Sequence, residues 1–108
     1  MVDIKRIKQD ISAYVDDSKA ELLQLSEYIH SNPELGFEEY KAQKALVKFL
    51  ETHGYVDIEI GTSGMQAAFQ AEYAVAGADK PVVTICSEYD ALPVGHACGH
   101  NLIATSSV

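Results

Sequence analysis

The chain has 108 residues, 47% of them hydrophobic and 22% charged, enough for one domain with a modest core and too few for a large two-lobed enzyme. With that apolar content and no low-complexity tract, an intrinsically disordered class is excluded. Sixteen acidic residues stand against eight basic ones, a formal charge of -8, which argues against a nucleic-acid partner because phosphates need clustered Lys and Arg.

The opening stretch, MVDIKRIKQDISAY, lacks the apolar centre of a signal peptide. No run approaches the roughly 20 apolar residues that cross a bilayer, so a cytoplasmic chain with no membrane partner is expected. From about Asp3 to Ile29, Ile4, Ile7, Ile11, Tyr14, Val15, Leu22, Leu25 and Ile29 recur at three- and four-residue steps. This is the stripe of an amphipathic helix, with a break suggested at Asp16, Asp17 and Ser18. Asn32-Pro33 ends it, since the residue before proline is pushed out of the helical region.

A second helix is predicted from about Gly36 to His53, with Phe37, Tyr40, Leu46, Phe49 and Leu50 on its buried face and Gly54 as a left-handed stop. Glu38 and Glu39 would lie in its first turn, where carboxylates complement the helix dipole. The period then changes to two: Val56, Ile58 and Ile60 alternate with Asp57 and Glu59, the mark of a strand with one wet face. GTSG reads as a turn, MQAAFQAEYAV as a second strand and AGADKP as a loop. Val82 to Cys86, VVTIC, is continuously apolar and suits a strand covered on both faces, with Cys86 as a small core residue. A last helix should begin near Asn101. The order implies a layered α/β architecture of helices and sheet, and Val108 falls about two turns into that helix, so a longer natural domain is expected.

The chemistry gathers in EYDALPVGHACGHNLI, residues 88 to 103. Cys98 and His100 are two positions apart, a step that returns both side chains to one side of an extended or looped segment. Gly99 between them permits unusual backbone angles. Thiolate and imidazole are both good ligands for zinc and similar divalent metals. A helix starting just after His100 would also favour the thiolate of Cys98. Asp90 follows the apolar run, where α/β enzymes place functional groups, and can orient a metal-bound histidine or simply make a turn before Leu92-Pro93. Glu88 should point the same way as Asp90 and Tyr89 the opposite way, into packing. His96 is open between a third ligand, a supporting donor and a solvated residue. His30 and His53 read as surface or capping residues. Two cysteines are too few for a disulfide scaffold, so free thiols are expected, with a Cys86–Cys98 disulfide or redox pair as the alternative.

This stretch resembles the metal-binding segment of the aminoacylase/carboxypeptidase superfamily of metal-dependent amidohydrolases. It is most similar to the branch of indoleacetyl-amino-acid hydrolases, aminobenzoyl-glutamate hydrolase and β-alanyl-dipeptidase-like proteins. IHSNPELGFEEYKAQKALVKFLETHGY resembles that branch's N-terminal helical segment, so the similarity spans roughly residues 25 to 108. The resemblance implies that residues 1–108 are the N-terminal part of a metallo-exopeptidase-like catalytic domain. It implies Cys98 and His100 as metal ligands, Asp90 as the catalytic-site carboxylate orienting a ligand, and no direct ligand role for His96. Two departures, Glu88 and Asn101 where many members carry aspartate, bear on substrate choice. It further implies a centre of two divalent ions (zinc, manganese or cobalt), an N-acyl amino acid or dipeptide substrate and a possible homodimer. The family's glutamate base and remaining ligands would follow Val108, so the 108-residue chain alone is expected to be inactive. The alternative is a non-catalytic fragment acting as an interaction module.

Overall fold

Three helices, a hairpin and a fourth helix follow one another in the computed structural model, which describes residues 1–74 and 80–108. The elements are α1 (Ile4–Asp17), α2 (Lys19–Ser31), α3 (Tyr40–Thr52), β1 (Asp57–Ile60), β2 (Phe69–Glu72) and α4 (His100–Ser107). The break expected at Asp16 to Ser18 is present. Ser18 closes α1 by donating its N–H to the Tyr14 and Val15 carbonyls, and α2 starts at the next residue. At the other end of α1, Asp3 Oδ1 accepts the Arg6 N–H at 3.1 Å, an N-cap that satisfies one orphan donor.

The two halves of the predicted stripe meet different fates. Leu25 and Ile29 on α2 are buried, whereas α1 buries no residue and leaves Ile4, Ile7, Ile11, Tyr14 and Val15 exposed. What holds α1 is polar: the Tyr14 hydroxyl bonds His53 Nδ1 at the end of α3, while His53 Nε2 lies 3.2 Å from both carboxylate oxygens of Glu21 on α2. His53 is thus the capping residue its position suggested.

α3 begins four residues later than Gly36. Phe37 takes φ 70°, outside any right-handed helix, and the Glu38 N–H closes a turn on the Leu35 carbonyl. Glu38 and Glu39 therefore precede the helix rather than occupying its first turn. The carboxylate at the helix start belongs to Glu34, which accepts the Lys41 N–H at 3.0 Å and the Ala42 N–H at 2.9 Å. Phe37 and Tyr40, expected on the buried face, are exposed; Leu46 and Leu50 are buried as expected, together with Ala42, Gln43 and Val47. Gln43 is satisfied there, donating from Nε2 to the Gln66 and Ala68 carbonyls at 2.8 Å each and so fastening the chain before β2 onto α3. Gly54 ends the helix with φ 96°, as expected.

β1 and β2 pair antiparallel with Ile58 opposite Ala71 and Ile60 opposite Phe69. Val75 at the end of the expected second strand and residues 76–79 of the following loop lie outside the described residues. The apolar run Val82 to Cys86 forms no strand: Val82, Val83 and Ile85 are exposed, and so is Cys86, which is not a core residue. The physical reason is that a buried strand needs paired neighbours and a covered face, and among the described residues none is supplied.

The core is instead helical. Leu25, Ile29, Ala42, Leu46 and Ala104 form one buried cluster from α2, α3 and α4, with Phe49, Phe69 and Tyr89 packed against it. Asn101, one of the two departures noted above, is buried and donates from Nδ2 to Ser26 Oγ at 3.2 Å, tying α4 to α2. The result is a small mixed domain of helices and a two-stranded sheet, compatible with part of an α/β fold. No described helix is long and apolar enough to cross a membrane.

Candidate metal centre

The chain from Glu88 to His100 doubles back on itself. The Ala91 N–H donates to the Glu34 carbonyl at 2.7 Å, anchoring the segment beside the loop before α3. Leu92 and Gly95 exchange backbone hydrogen bonds of 3.1 and 2.8 Å around Pro93-Val94, with Gly95 at φ 104°. Gly99 then takes φ 83° and caps α4, whose first residue is His100. Both glycines occupy the left-handed region that a side chain would strain.

This turn sets His100 between two carboxylates. Its Nδ1 lies 2.8 Å from Asp90 Oδ1 and 3.0 Å from the Asp90 carbonyl oxygen. A carbonyl only accepts, so Nδ1 is the protonated, donating nitrogen. Nε2 is left facing Glu88 Oε2 at 3.1 Å. A lone pair and a carboxylate repel, and the contact is favourable only when a cation, a proton or a metal ion, lies between them. The expectation that Glu88 and Asp90 share a direction holds, and Glu88 reaches the site more directly than the sequence indicated. The alternating direction of an extended i, i+2 pair was the signal for it.

Tyr89, between them, points the other way, as expected. It stacks on Phe69 with ring centroids 5.9 Å apart and donates its hydroxyl to the Ala67 carbonyl at 2.6 Å. Burial, reinforced by the negative charge of Glu39, pushes its phenol up from 10.0 to about 12.

Cys98 is an exposed free thiol next to the Gly99 cap, and Cys86 is also free, so no disulfide joins them. His96 stacks against His30, with ring centroids 6.2 Å apart, and both its ring nitrogens are shut off from solvent, without a geometrically formed hydrogen bond among the described residues. Burial, then the neighbouring His30 and His100, push its imidazole below the ordinary histidine value. Among the described residues no group of three or more His, Cys, Asp or Glu side chains converges where one ion would sit. His100 meets Asp90 on one ring nitrogen and Glu88 on the other, while Cys98, exposed and two positions from His100 in sequence, forms no hydrogen bond with them among the described residues. For a divalent ion the fit is of donor chemistry: an imidazole oriented by a carboxylate, with its free nitrogen toward a second carboxylate, and a free thiol two positions away in the sequence.

No family profile matches the chain. Individual proteins do. It is 37% identical over 113 residues to the Xaa-Arg dipeptidase of Mus musculus, covering 98% of this chain and 26% of that protein. It is 36% identical to the Xaa-Arg dipeptidase of Homo sapiens over 94% of this chain and 26% of the relative. It is 29% identical to one of the p-aminobenzoyl-glutamate hydrolase subunits of Escherichia coli, over 92% of this chain and 24% of the relative. The chain therefore spans about a quarter of the length of the curated relatives it matches. An N-acyl-L-amino acid amidohydrolase and a hippurate hydrolase match it over a similar share. By sequence the chain belongs with the amidohydrolases and dipeptidases of the aminoacylase/carboxypeptidase superfamily.

Proposed function

We propose that this chain is the N-terminal part of the catalytic domain of a metal-dependent amidohydrolase. The reading is that Cys98 and His100 hold a divalent metal, Asp90 orients His100, and the complete enzyme hydrolyses the amide bond of dipeptides or N-acyl amino acids. The single observation that carries it is His100 itself, with Nδ1 tied to Asp90 and Nε2 3.1 Å from the Glu88 carboxylate, a contact that a proton or a metal ion would satisfy. Names of the relatives supply the substrate class: dipeptides ending in arginine for the two Xaa-Arg dipeptidases, and N-acyl amino acids for another.

When bound, a divalent ion would lower the pKa of water and polarise the scissile carbonyl. The chain's own residues prepare for that. Asp90 accepts a hydrogen bond from the His100 proton on Nδ1 and so leaves Nε2 as the nitrogen free to coordinate, and the left-handed Gly99 stands between Cys98 and His100 in the chain. Glu88 adds negative charge on the same side. The two-ion centre, the general base and any homodimer belong to the rest of the enzyme in this reading.

The 108-residue chain alone should show no hydrolysis, because two ligands do not fix an open catalytic site. The test is zinc or manganese titration by calorimetry. Wild-type chain should bind with a stoichiometry that both Cys98→Ala and His100→Ala abolish. Equal binding by all three, or amidase activity in the isolated chain, overturns the proposal.

A further inference from the structure

Glu39 is an anomaly away from the His100 site. Only 9% of it is exposed, yet no basic group pairs with it among the described residues. It occupies the N-cap position of α3, yet its side chain makes no cap hydrogen bond there. The one hydrogen bond of its side chain among those residues is accepted by Oε1 from the Phe37 N–H at 2.9 Å. Burying a carboxylate is costly unless it is paired, and one neutral amide does not balance a full charge. The phenol of Tyr89 feels that charge, since Glu39 contributes to raising it.

Glu39 lines a cavity of about 300 Å³, at the lower end of the range of roughly 300–1,000 Å³ typical of small-molecule sites. The walls divide by chemistry. Met65, Ala67, Ala68 and Phe37 are apolar; Glu39 and Asp90 are the two charged groups, both negative. Phe37 is held at φ 70°, a conformation that disfavours a bulky residue, and the residue is 77% exposed. Backbone strain of this kind persists where the surroundings impose it, and it concentrates at ligand sites. No group of ligands suited to a metal ion is present here among the described residues. A cavity lined by both apolar side chains and carboxylates matches an aliphatic stem with a cationic head.

We propose that this cavity binds an organic cation, an alkylguanidinium or alkylammonium group, with Glu39 as the charge that recognises its head and Met65, Ala67 and Phe37 as the walls for its stem. Asp90 links the cavity to His100, because the same residue lines the one and orients the other. If the amidohydrolase reading holds, the cation is a basic side chain of the substrate and Glu39 determines specificity; only that assignment rests on the reading, the binding does not.

The experiment titrates isotope-labelled chain with n-butylguanidinium and, separately, with n-butylurea, a neutral compound of nearly the same shape. Saturable amide shifts at Phe37, Ala67 and Ala68 are expected with the guanidinium, and binding of butylurea at least about tenfold weaker. Glu39→Gln keeps an acceptor for the Phe37 N–H but removes the charge, and should weaken guanidinium binding by about tenfold or more. Glu38→Gln removes the same charge from an exposed neighbour and should leave it unchanged. Equal binding of the two probes, unaltered affinity in Glu39→Gln, or no saturable shift overturns the inference. Zinc titration of the same samples separates the two ideas. Zinc binding without guanidinium binding sinks the cavity and leaves the hydrolase reading; the converse keeps the cavity and removes its assignment to a substrate.

Discussion

Asp90 spends both its backbone carbonyl and its side chain on one nitrogen of His100. Asp90→Asn keeps the carbonyl contact but offers a neutral amide in place of a charged acceptor, so His100 becomes a less basic and less firmly oriented ligand. A loss of about 10–100-fold in zinc affinity is expected, the range for removing a carboxylate behind a metal-bound histidine, and isothermal titration would measure it. Tyr89 makes a prediction of its own. Its folded-state pKa of about 12 lies above the ordinary 10.0, so the folded chain keeps a proton that the unfolded chain releases earlier. The stabilisation is complete below about pH 10 and is lost as pH rises toward 12. Urea midpoints followed from pH 9 to 12 should fall for wild type, and Tyr89→Phe should remove the tyrosine-dependent part of that fall. Much of this residue pattern was legible in the sequence. Alternation at a strand end put Glu88 and Asp90 on one side and Tyr89 on the other. What was not legible was the reach of Glu88 to Nε2, because it depends on the 92–95 turn bringing His100 back across space. Glu39 was read as a helix-dipole carboxylate because its neighbours before Tyr40 look helical, and nothing local announces its burial.

Element boundaries show where local signals were outweighed. The pattern from Gly36 to His53 contains helical spacing throughout, yet the helix waits until Tyr40. Glu34 wins the N-terminus by offering both carboxylate oxygens to the Lys41 and Ala42 amides, and the intervening residues turn out through Phe37. Glu34→Ala should therefore cost about 1–2 kcal/mol, in line with loss of a helix cap, and speed amide exchange at Lys41 and Ala42 above all other sites. Phe37→Gly should do the reverse at the backbone. It removes a side chain that is mostly exposed and relieves a left-handed conformation that glycine adopts freely, while adding freedom to the unfolded chain. A net gain of up to about 1 kcal/mol in chemical denaturation is expected. The helices α2 and α4, the Gly54 stop and the β1–β2 pairing were readable because each is fixed by signals within a few residues. The run Val82 to Cys86 was not, since continuous apolarity describes a strand only when other strands stand beside it.

At the scale of the whole molecule two forces oppose each other. The net charge of -8 keeps copies apart, while Val82, Val83 and Ile85 together with the α1 stripe leave apolar surface uncovered. An exposed apolar segment that joins no sheet among the described residues can serve as a template for pairing with another copy. Charge repulsion between copies is screened within about 8 Å at 0.15 M ionic strength and within about 3 Å at 1 M, whereas apolar attraction is not weakened by salt. Self-association of the 108-residue chain should therefore grow as sodium chloride is raised, the opposite of an association held by ion pairs. Val83→Lys adds a charge in the middle of the exposed run without touching the helical core, since Leu25, Ile29, Ala42, Leu46 and Ala104 lie elsewhere. Sedimentation velocity at low and high salt should show wild-type chain shifting to larger species and Val83→Lys remaining monomeric in both. If instead the variant associates as wild type does, the exposed run is not the contact, and the α1 stripe with Ile4, Ile7 and Ile11 becomes the surface to substitute next.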